Sequence, residues 1–249
     1  MERNELDNIT CIILAAGMGK RMNTNIPKCI VKVLGKEMIL RIIDSLKEIN
    51  IKDILCVLGY KKEEIIKLLD KDINFVIQEN QLGTADAIRV CNKYFENKNR
   101  LCVIIPGDMA FLDCEIINKL IDFHKNEKND LSLVSSYFKD TKMYGKIKRI
   151  DNKVCEIIEY KDAHKFNDLT SEVNIGLYCI ESNLLFKYIN KIKNENNSKE
   201  YYLTDLIKLL YEDNYKINSL VLEESYKLKG INDFETLHEL EDECLKSCI

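Results

Sequence analysis

The sequence predicts an α/β fold built on a mostly parallel sheet with helices on both faces. Short apolar runs rich in β-branched residues alternate with amphipathic segments over the first half of the chain, the rhythm of a parallel sheet buried on both sides. The first of these runs feeds directly into a glycine loop. After about residue 130 the rhythm changes to closely spaced strands joined by a turn, which predicts an antiparallel addition to the first sheet.

Residues 10–14, Thr-Cys-Ile-Ile-Leu, lack helical periodicity and read as a buried parallel strand. The strand-then-helix alternation continues as 54–58 with 63–69, 75–77 with 85–95, and 101–105 with 115–123. Residues 131–137 and 147–150 read as strands, Asp151-Asn152 as a turn, and 154–160 as the returning strand. Further strands are predicted at 173–180 and 219–222, and helices at 184–192, 203–211 and 234–246. The polar, Asn-rich stretch 191–199 reads as a surface loop, because helical pattern resumes at once behind it. No internal repeat is visible.

The 249 residues can bury a substantial core, and 31% charged with 46% hydrophobic residues is ordinary globular composition. A net charge of −4 gives no reason to expect nucleic acid or an anionic membrane as a partner, so any anion binding must be local. The first apolar run is interrupted too soon, by Lys20-Arg21, to serve as a signal or membrane segment, and a cytoplasmic protein is expected. Ten cysteines agree with that: Cys11, Cys56, Cys102 and Cys179 fall in strand-like runs, and no Cys-x-x-Cys pair occurs. Cys244 and Cys248 share a helix face without nearby histidines, which argues against a metal site there.

The motif with the most chemistry is Leu14-Ala15-Ala16-Gly17-Met18-Gly19-Lys20-Arg21-Met22, followed by Pro27-Lys28. Glycines at the carboxyl end of a parallel strand let backbone NH groups approach phosphate oxygens, and Lys20, Arg21 and Lys28 add positive charge. The loop lacks the Gly-Lys-Ser/Thr ending of a Walker loop and the third glycine of a dinucleotide fingerprint. Asp108, in Pro106-Gly107-Asp108 at the end of a strand, is the candidate metal ligand; its bland alternative is a turn residue capping the next helix. Gln78, in a stretch ending Gly83-Thr84, offers a planar amide for a base edge. Tyr144-Gly145, Glu159-Tyr160-Lys161-Asp162-Ala163 and Glu172-Val173-Asn174-Ile175-Gly176 offer the carboxylates, carboxamide and glycines that suit sugar hydroxyls.

In that order, LAAGMGKRM (14–22), PK (27–28), QENQLGTADA (78–87), PGD (106–108), YGKI (144–147), IIEYKDA (157–163), EVNIG (172–176), EYYLTD (200–205) and GIND (230–233) make the chain resemble the sugar-nucleotidyltransferase family over nearly its whole length. EYKDA and EYYLTD are most similar to the pyrophosphorylase domain of the N-acetylglucosamine-1-phosphate uridylyltransferases, the N-acetylhexosamine branch. The resemblance implies the nucleotide-diphospho-sugar transferase fold, a Rossmann-like sheet with the antiparallel addition on the sugar side. It implies one nucleotidyltransferase domain over residues 1–249, ending in a helix at about 233–247, with no left-handed β-helix acetyltransferase domain.

The implied reaction is Mg²⁺-dependent transfer of a uridylyl group from UTP to N-acetylglucosamine 1-phosphate, giving UDP-N-acetylglucosamine and pyrophosphate, a step of nucleotide-sugar biosynthesis for the cell wall. Carried over by motif, Leu14, Ala16, Gly17, Gln78, Gly83 and Thr84 would hold the uracil and ribose, while Arg21 and Lys28 would act as the catalytic cations on the phosphates. Asp108 and Asn232 would hold the metal, and Gly145, Glu159, Asn174, Tyr202 and Thr204 would line the sugar site. The partners expected are UTP and a sugar 1-phosphate, with neither nucleic acid nor membrane. The oligomeric state stays open, a monomer being compatible with the absence of a trimerising β-helix. His124, His164 and His238 lie outside every motif.

The chain departs from the family pattern in three places. Met109-Ala110-Phe111 replaces the usual x-Pro-Leu after Gly-Asp, Ile175 replaces a hydroxyl residue, and Asp86 replaces a common histidine. The last two leave sugar and base preference open. N-acetylgalactosamine 1-phosphate as acceptor, cytidylyl or thymidylyl transfer, and a non-catalytic nucleotide-sugar binding protein are the alternatives.

Overall fold

A computed structural model describes residues 6–22, 25–141, 143–165 and 170–247, leaving out the side chains of Lys20 and residues 163–165. Cys248 and the side chain of His164 therefore lie outside the described residues. In chain order the strands and helices are β1 (Ile9–Ala15), β2 (Lys32–Val33), β3 (Lys36–Glu37), α1 (Met38–Glu48), β4 (Asp53–Leu58), α2 (Lys62–Ile66), β5 (Asn74–Ile77), α3 (Thr84–Arg89), β6 (Leu101–Pro106) and α4 (Cys114–Glu127). They continue as β7 (Leu131–Tyr137), β8 (Lys146–Ile150), β9 (Lys153–Ile158), β10 (Glu172–Glu181), α5 (Ser182–Ile189), α6 (Asp205–Glu212), β11 (Ile217–Leu222) and α7 (Phe234–Ser247). Among the described residues no helix is long and apolar enough to cross a membrane.

The chain divides into two compact units. The first comprises Met1–Gln81, Ile105–Asn118 and Ser225–Ile249, the second Leu82–Ile104 and Lys119–Glu224. In the first, β1 pairs in parallel with β4, and β4 in parallel with β5. The near-continuous burial of β1 and β4 is what a strand covered on both faces requires, and it accounts for their unbroken Ile, Leu, Val and Cys runs. Helix α1 was not anticipated from the sequence. It buries Met38, Ile39, Ile42, Ile43 and Leu46 on one stripe and ends at Glu48; Asn50, with a φ of +60°, takes the left-handed position after it.

In the second unit β10 lies between β6 and β7 and runs antiparallel to both, while β11 continues the sheet in parallel with β7. The predicted antiparallel addition is the β8–β9 hairpin, attached to β10 through Val173 and Lys146. Its turn is Asp151-Asn152 as predicted, both with positive φ (+49° and +63°), the backbone demanded by a two-residue hairpin loop. The protein thus has a mixed α/β fold with a mostly parallel sheet, helices around it and a small antiparallel element.

Three predicted helices end early, 63–69 at Ile66, 184–192 at Ile189 and 85–95 at Arg89, and the last also changes form. Over 85–95 the α-helix stops at Arg89, Cys91 N bonds back only three residues to Ile88 O, and Asn92–Phe95 is a 3₁₀ turn. Apolar spacing alone does not separate these two helical forms over a single turn. The strand-borne cysteines Cys11, Cys56, Cys102 and Cys179 are fully buried, and burial pushes the Cys56 thiol up to about 12.

Candidate active site

The predicted nucleotide residues of the first unit gather at the carboxyl ends of its parallel strands. Leu14 is the penultimate residue of β1, Ala16 and Gly17 follow that strand, and Gln78 follows β5 directly. The loops are tied together by backbone: Tyr60 N donates to Ala16 O (3.2 Å), Gln78 N to Leu58 O (2.8 Å) and Gly107 N to Leu14 O (2.9 Å). A Cβ on Gly17 would meet nothing within 4 Å, so packing within the chain does not require glycine there and the space beside its backbone is open.

Beside this edge, four side chains from distant parts of the chain meet. Lys28 Nζ donates to Asp108 Oδ2 at 2.6 Å and to Asn232 Oδ1 at 2.8 Å, and Arg21 donates to the same Asn232 oxygen at 2.9 Å. Gly19 permits this approach twice over. Its φ is +64°, and a Cβ there would lie 2.5 Å from Lys28 Cβ. Ile231 N donates to Asp108 O at 2.9 Å, which sets the Asp108 and Asn232 segments side by side.

The positions of these four groups are fixed by their neighbours in sequence. Met22, Val31, Ala110, Phe111 and Ile231 are buried together with Val33, Met38, Leu237 and Leu240 in one apolar cluster. Each polar site residue is thus within three positions of a core anchor. Helix α1 holds the Asp108 loop as well, through Arg41 Nε to Ala110 O (2.9 Å) and Ser45 Oγ to Leu112 O (2.9 Å), with Arg41 over the Phe111 ring. The departure Met109-Ala110-Phe111 is absorbed here, all three residues being buried. Helix capping falls to Asp113, which accepts from Ile116 N, leaving Asp108 to the ion cluster. Asp233 accepts from Thr236 N at the start of α7; those hydrogen bonds, with the Arg21 and Lys28 charges, hold its carboxyl below the ordinary range.

The metal reading rests on the chemistry of this donor set. A carboxylate oxygen and an amide oxygen converge on a single ammonium nitrogen, so the two residues already define a position that holds a cation. Hard oxygen donors of this kind fit Mg²⁺, which keeps most of its shell as water and phosphate oxygen. Among the described residues there is no cluster of three or more His, Cys, Asp and Glu side chains of metal-site type.

The predicted sugar residues come together in the second unit. Asn174 N donates to Gly145 O at 2.9 Å, and a Cβ on Gly145 would lie 3.6 Å from the Glu159 carboxylate. Thr204 Oγ1 donates to Glu159 Oε1 at 2.8 Å. Burial pushes the Glu159 carboxyl up, Thr204 opposes this, and Asp162 and Glu200 add to it. Burial likewise raises the Tyr202 phenol, with Glu159 contributing. The Asn174 carboxamide is oriented at both ends: its oxygen accepts from Gly176 N (3.1 Å) and its nitrogen donates to the buried Tyr178 hydroxyl (2.6 Å).

Gly83 and Thr84 belong to this second unit. They are anchored to the segment that carries Tyr202 and Thr204. Tyr201 N donates to Leu82 O, Ala85 N to Tyr201 O, and Leu203 N to Thr84 Oγ1. A Cβ on Gly83, whose φ is +124°, would strike Tyr201 O at 2.4 Å. Arg89 braces the same segment, stacking on the Tyr201 ring at 4.1 Å and donating to Ile189 O and Ile192 O.

Sequence reading missed Arg41, Ser45, Tyr178 and Arg89 as supports of the candidate residues. The apolar stripe 38, 39, 42, 43, 46 marks α1 as a helix, but what its polar face holds is a tertiary fact. His124, which was given no role, is buried against Ser132 (3.0 Å), and burial lowers its pKa to about 4.

Comparisons with known proteins give the family of the chain. The profile of the nucleotidyl transferase family matches residues 10–227. The bifunctional protein GlmU of Clostridium perfringens (strain SM101) is 34% identical over 236 residues, 94% of this chain and 52% of that protein. GlmU of Clostridium botulinum (strain Loch Maree) is 35% identical over 233 residues, 92% of this chain and 50% of that one. The chain therefore spans about half the length of the curated relatives it matches. A Bacillus anthracis protein classed provisionally as a glucose-1-phosphate thymidylyltransferase, crystallised with sucrose, shares the fold with a TM-score of 0.71 at 20% identity, covering 94% of each chain. The chain belongs to the nucleotidyl transferase family.

Proposed function

We propose that the protein catalyses Mg²⁺-dependent transfer of a uridylyl group from UTP to N-acetylglucosamine 1-phosphate, releasing pyrophosphate. The observation that carries this reading is the meeting of Arg21, Lys28, Asp108 and Asn232 on one core-anchored cluster at the carboxyl edge of a parallel sheet. In α/β sheets that edge is where ligands bind. The similarity to GlmU at 34–35% identity supports the choice of base and sugar.

In the reaction, a phosphate oxygen of the sugar phosphate attacks the α-phosphorus of UTP in line, the bond from that phosphorus to the bridging oxygen breaks, and pyrophosphate leaves. Such a transfer needs alignment and charge neutralisation, with no protein nucleophile. Arg21 and Lys28 neutralise the phosphates. Asp108 and Asn232 would hold Mg²⁺, which supplies further charge neutralisation on the phosphate oxygens. Gln78 presents a planar amide to the base. In the second unit, the Glu159 carboxylate and the pre-oriented Asn174 carboxamide take the sugar hydroxyls and acetamido group, with Tyr202 and Thr204 beside them.

A working catalyst is favoured over a nucleotide-sugar binding protein because Lys28, Arg21, Asp108 and Asn232 are all retained and already assembled. Pyrophosphate release measured for each NTP against a panel of sugar 1-phosphates tests the reading. UTP with N-acetylglucosamine 1-phosphate is the expected best pair, and preference for dTTP with glucose 1-phosphate would overturn the assignment of base and sugar.

A further inference from the structure

The assignment of Asp108 and Asn232 to a metal meets a specific obstacle in the free protein, because the cation position between them is taken. Lys28 Nζ sits 2.6 Å from Asp108 Oδ2 and 2.8 Å from Asn232 Oδ1. The Asn232 oxygen also accepts from Arg21 at 2.9 Å. A divalent ion needs its oxygens at about 2.0–2.1 Å, so an ion on this pair and an ammonium on the same pair would be like charges in close contact. The two states exclude each other.

The lysine is also not held loosely. Its side chain is only 15% exposed, Gly19 packs against its Cβ position, and the neighbouring Cys29 is buried with its thiol directed at Ala15 O. The opposing loop is equally constrained, since a Cβ on Gly230 would come within 3.1 Å of Asp108 Oδ1. Lys28 is thus an internal counter-ion seated by the fold. Phosphate oxygens offer that ammonium a competing anion, and once it moves to them the Asp108 and Asn232 oxygens are released.

We propose that Lys28 occupies the cation position of Asp108 and Asn232 in the free protein, so that a divalent metal enters together with nucleotide rather than ahead of it. This rests on the reading of Asp108 and Asn232 as metal ligands. It also revises the role of Lys28, which from sequence acted on phosphate alone.

The test is Mn²⁺ binding to the nucleotide-free protein, followed by electron paramagnetic resonance, for the wild type, Lys28→Met, Lys28→Gln, and each variant combined with Asp108→Ala. Removing a partly buried ion-pair partner should tighten Mn²⁺ binding by about threefold to tenfold in Lys28→Met and Lys28→Gln. Adding Asp108→Ala should abolish that gain. Two variants of different polarity keep the test open if one fails to fold. If Mn²⁺ binds in an Asp108-dependent way but no more tightly in either variant, the proposal falls while the metal assignment stands. If Mn²⁺ binding in the Lys28 variants ignores Asp108→Ala, the metal assignment itself falls, and the proposal with it.

Discussion

Replacing Arg149 by Met removes the positive partner of a buried carboxylate and should unmask a pH-dependent loss of stability. Glu172, at the start of β10, is 1% exposed and takes a bidentate fork from Arg149 on β8 at 2.7 and 2.8 Å. Ser135 on β7 donates to it at 2.6 Å, and Ser219 on β11 at 3.4 Å, so one carboxylate ties four strands together. Burial alone pushes the Glu172 carboxyl up, but the hydrogen bonds from Arg149 and Ser135 outweigh it and leave the group below its ordinary 4.5. A carboxyl depressed in the folded state contributes stability that is present above the unfolded value and lost as pH falls through the folded one.

Breaking a buried pair on one side costs about 3–5 kcal/mol. The Arg149 side chain is 27% exposed and the Met stem keeps part of its packing, so the lower end, about 3 kcal/mol at pH 7, is expected. In the variant burial, the largest influence on this carboxyl, is no longer offset by the Arg149 hydrogen bonds and pushes the group up. The variant should then relieve its buried charge by taking up a proton as pH falls, and the deficit relative to wild type should shrink as pH drops from 7.5 to 4. Urea denaturation at pH 4, 5.5 and 7.5 measures this, and adding Glu172→Gln should recover much of the loss at pH 7.5. A deficit below about 1 kcal/mol at pH 7.5, or one equal at all three pH values, would show that Glu172 does not depend on Arg149 for its charge.

Asp108→Ala and Asn232→Ala should each lower turnover by about two to three orders of magnitude, the cost of one preorganised electrostatic contact. Steady-state turnover with UTP and the sugar phosphate checks this, and near wild-type rates in Asp108→Ala would show the cluster to be structural. Asn174→Ala and Thr204→Val should raise the KM for the sugar phosphate by about tenfold while leaving the KM for UTP within about twofold, the loss of one hydrogen bond to a substrate or to its carboxylate partner. Equal effects on both KM values would contradict the assignment of that cluster to the sugar.

The elements legible in the sequence are those whose signal is local. Continuous burial wrote itself into the Ile, Leu, Val and Cys runs of β1 and β4, and the positive φ values of Asp151 and Asn152 into a recognisable turn pair. The glycine loop was legible for the same reason, since Gly19 is demanded by backbone geometry and by the approach of Lys28. What stayed hidden is carried by distance in sequence. Asp108 and Asn232 lie 80 and 204 positions beyond Lys28, and nothing local to them says that they share its ammonium; the resemblance alone paired Asp108 with Asn232, and it set Lys28 on the phosphates. The brace of Arg41 and Ser45 on the Asp108 loop, and the ring of donors around Glu172, are of this kind. The 85–95 segment failed for a local reason, because a single 3₁₀ turn after α3 keeps the apolar spacing of a helix.

On the function proposed above, the protein joins a nucleotide to a sugar phosphate rather than merely binding both. The most direct measurement is product analysis by mass spectrometry, with pyrophosphate quantified in parallel, after incubating the purified protein with UTP, N-acetylglucosamine 1-phosphate and Mg²⁺. Equimolar UDP-N-acetylglucosamine and pyrophosphate are expected, with loss of both in Asp108→Ala. Saturable binding of UTP and the sugar phosphate without either product, under conditions where no other NTP and sugar 1-phosphate pair turns over, would contradict that function.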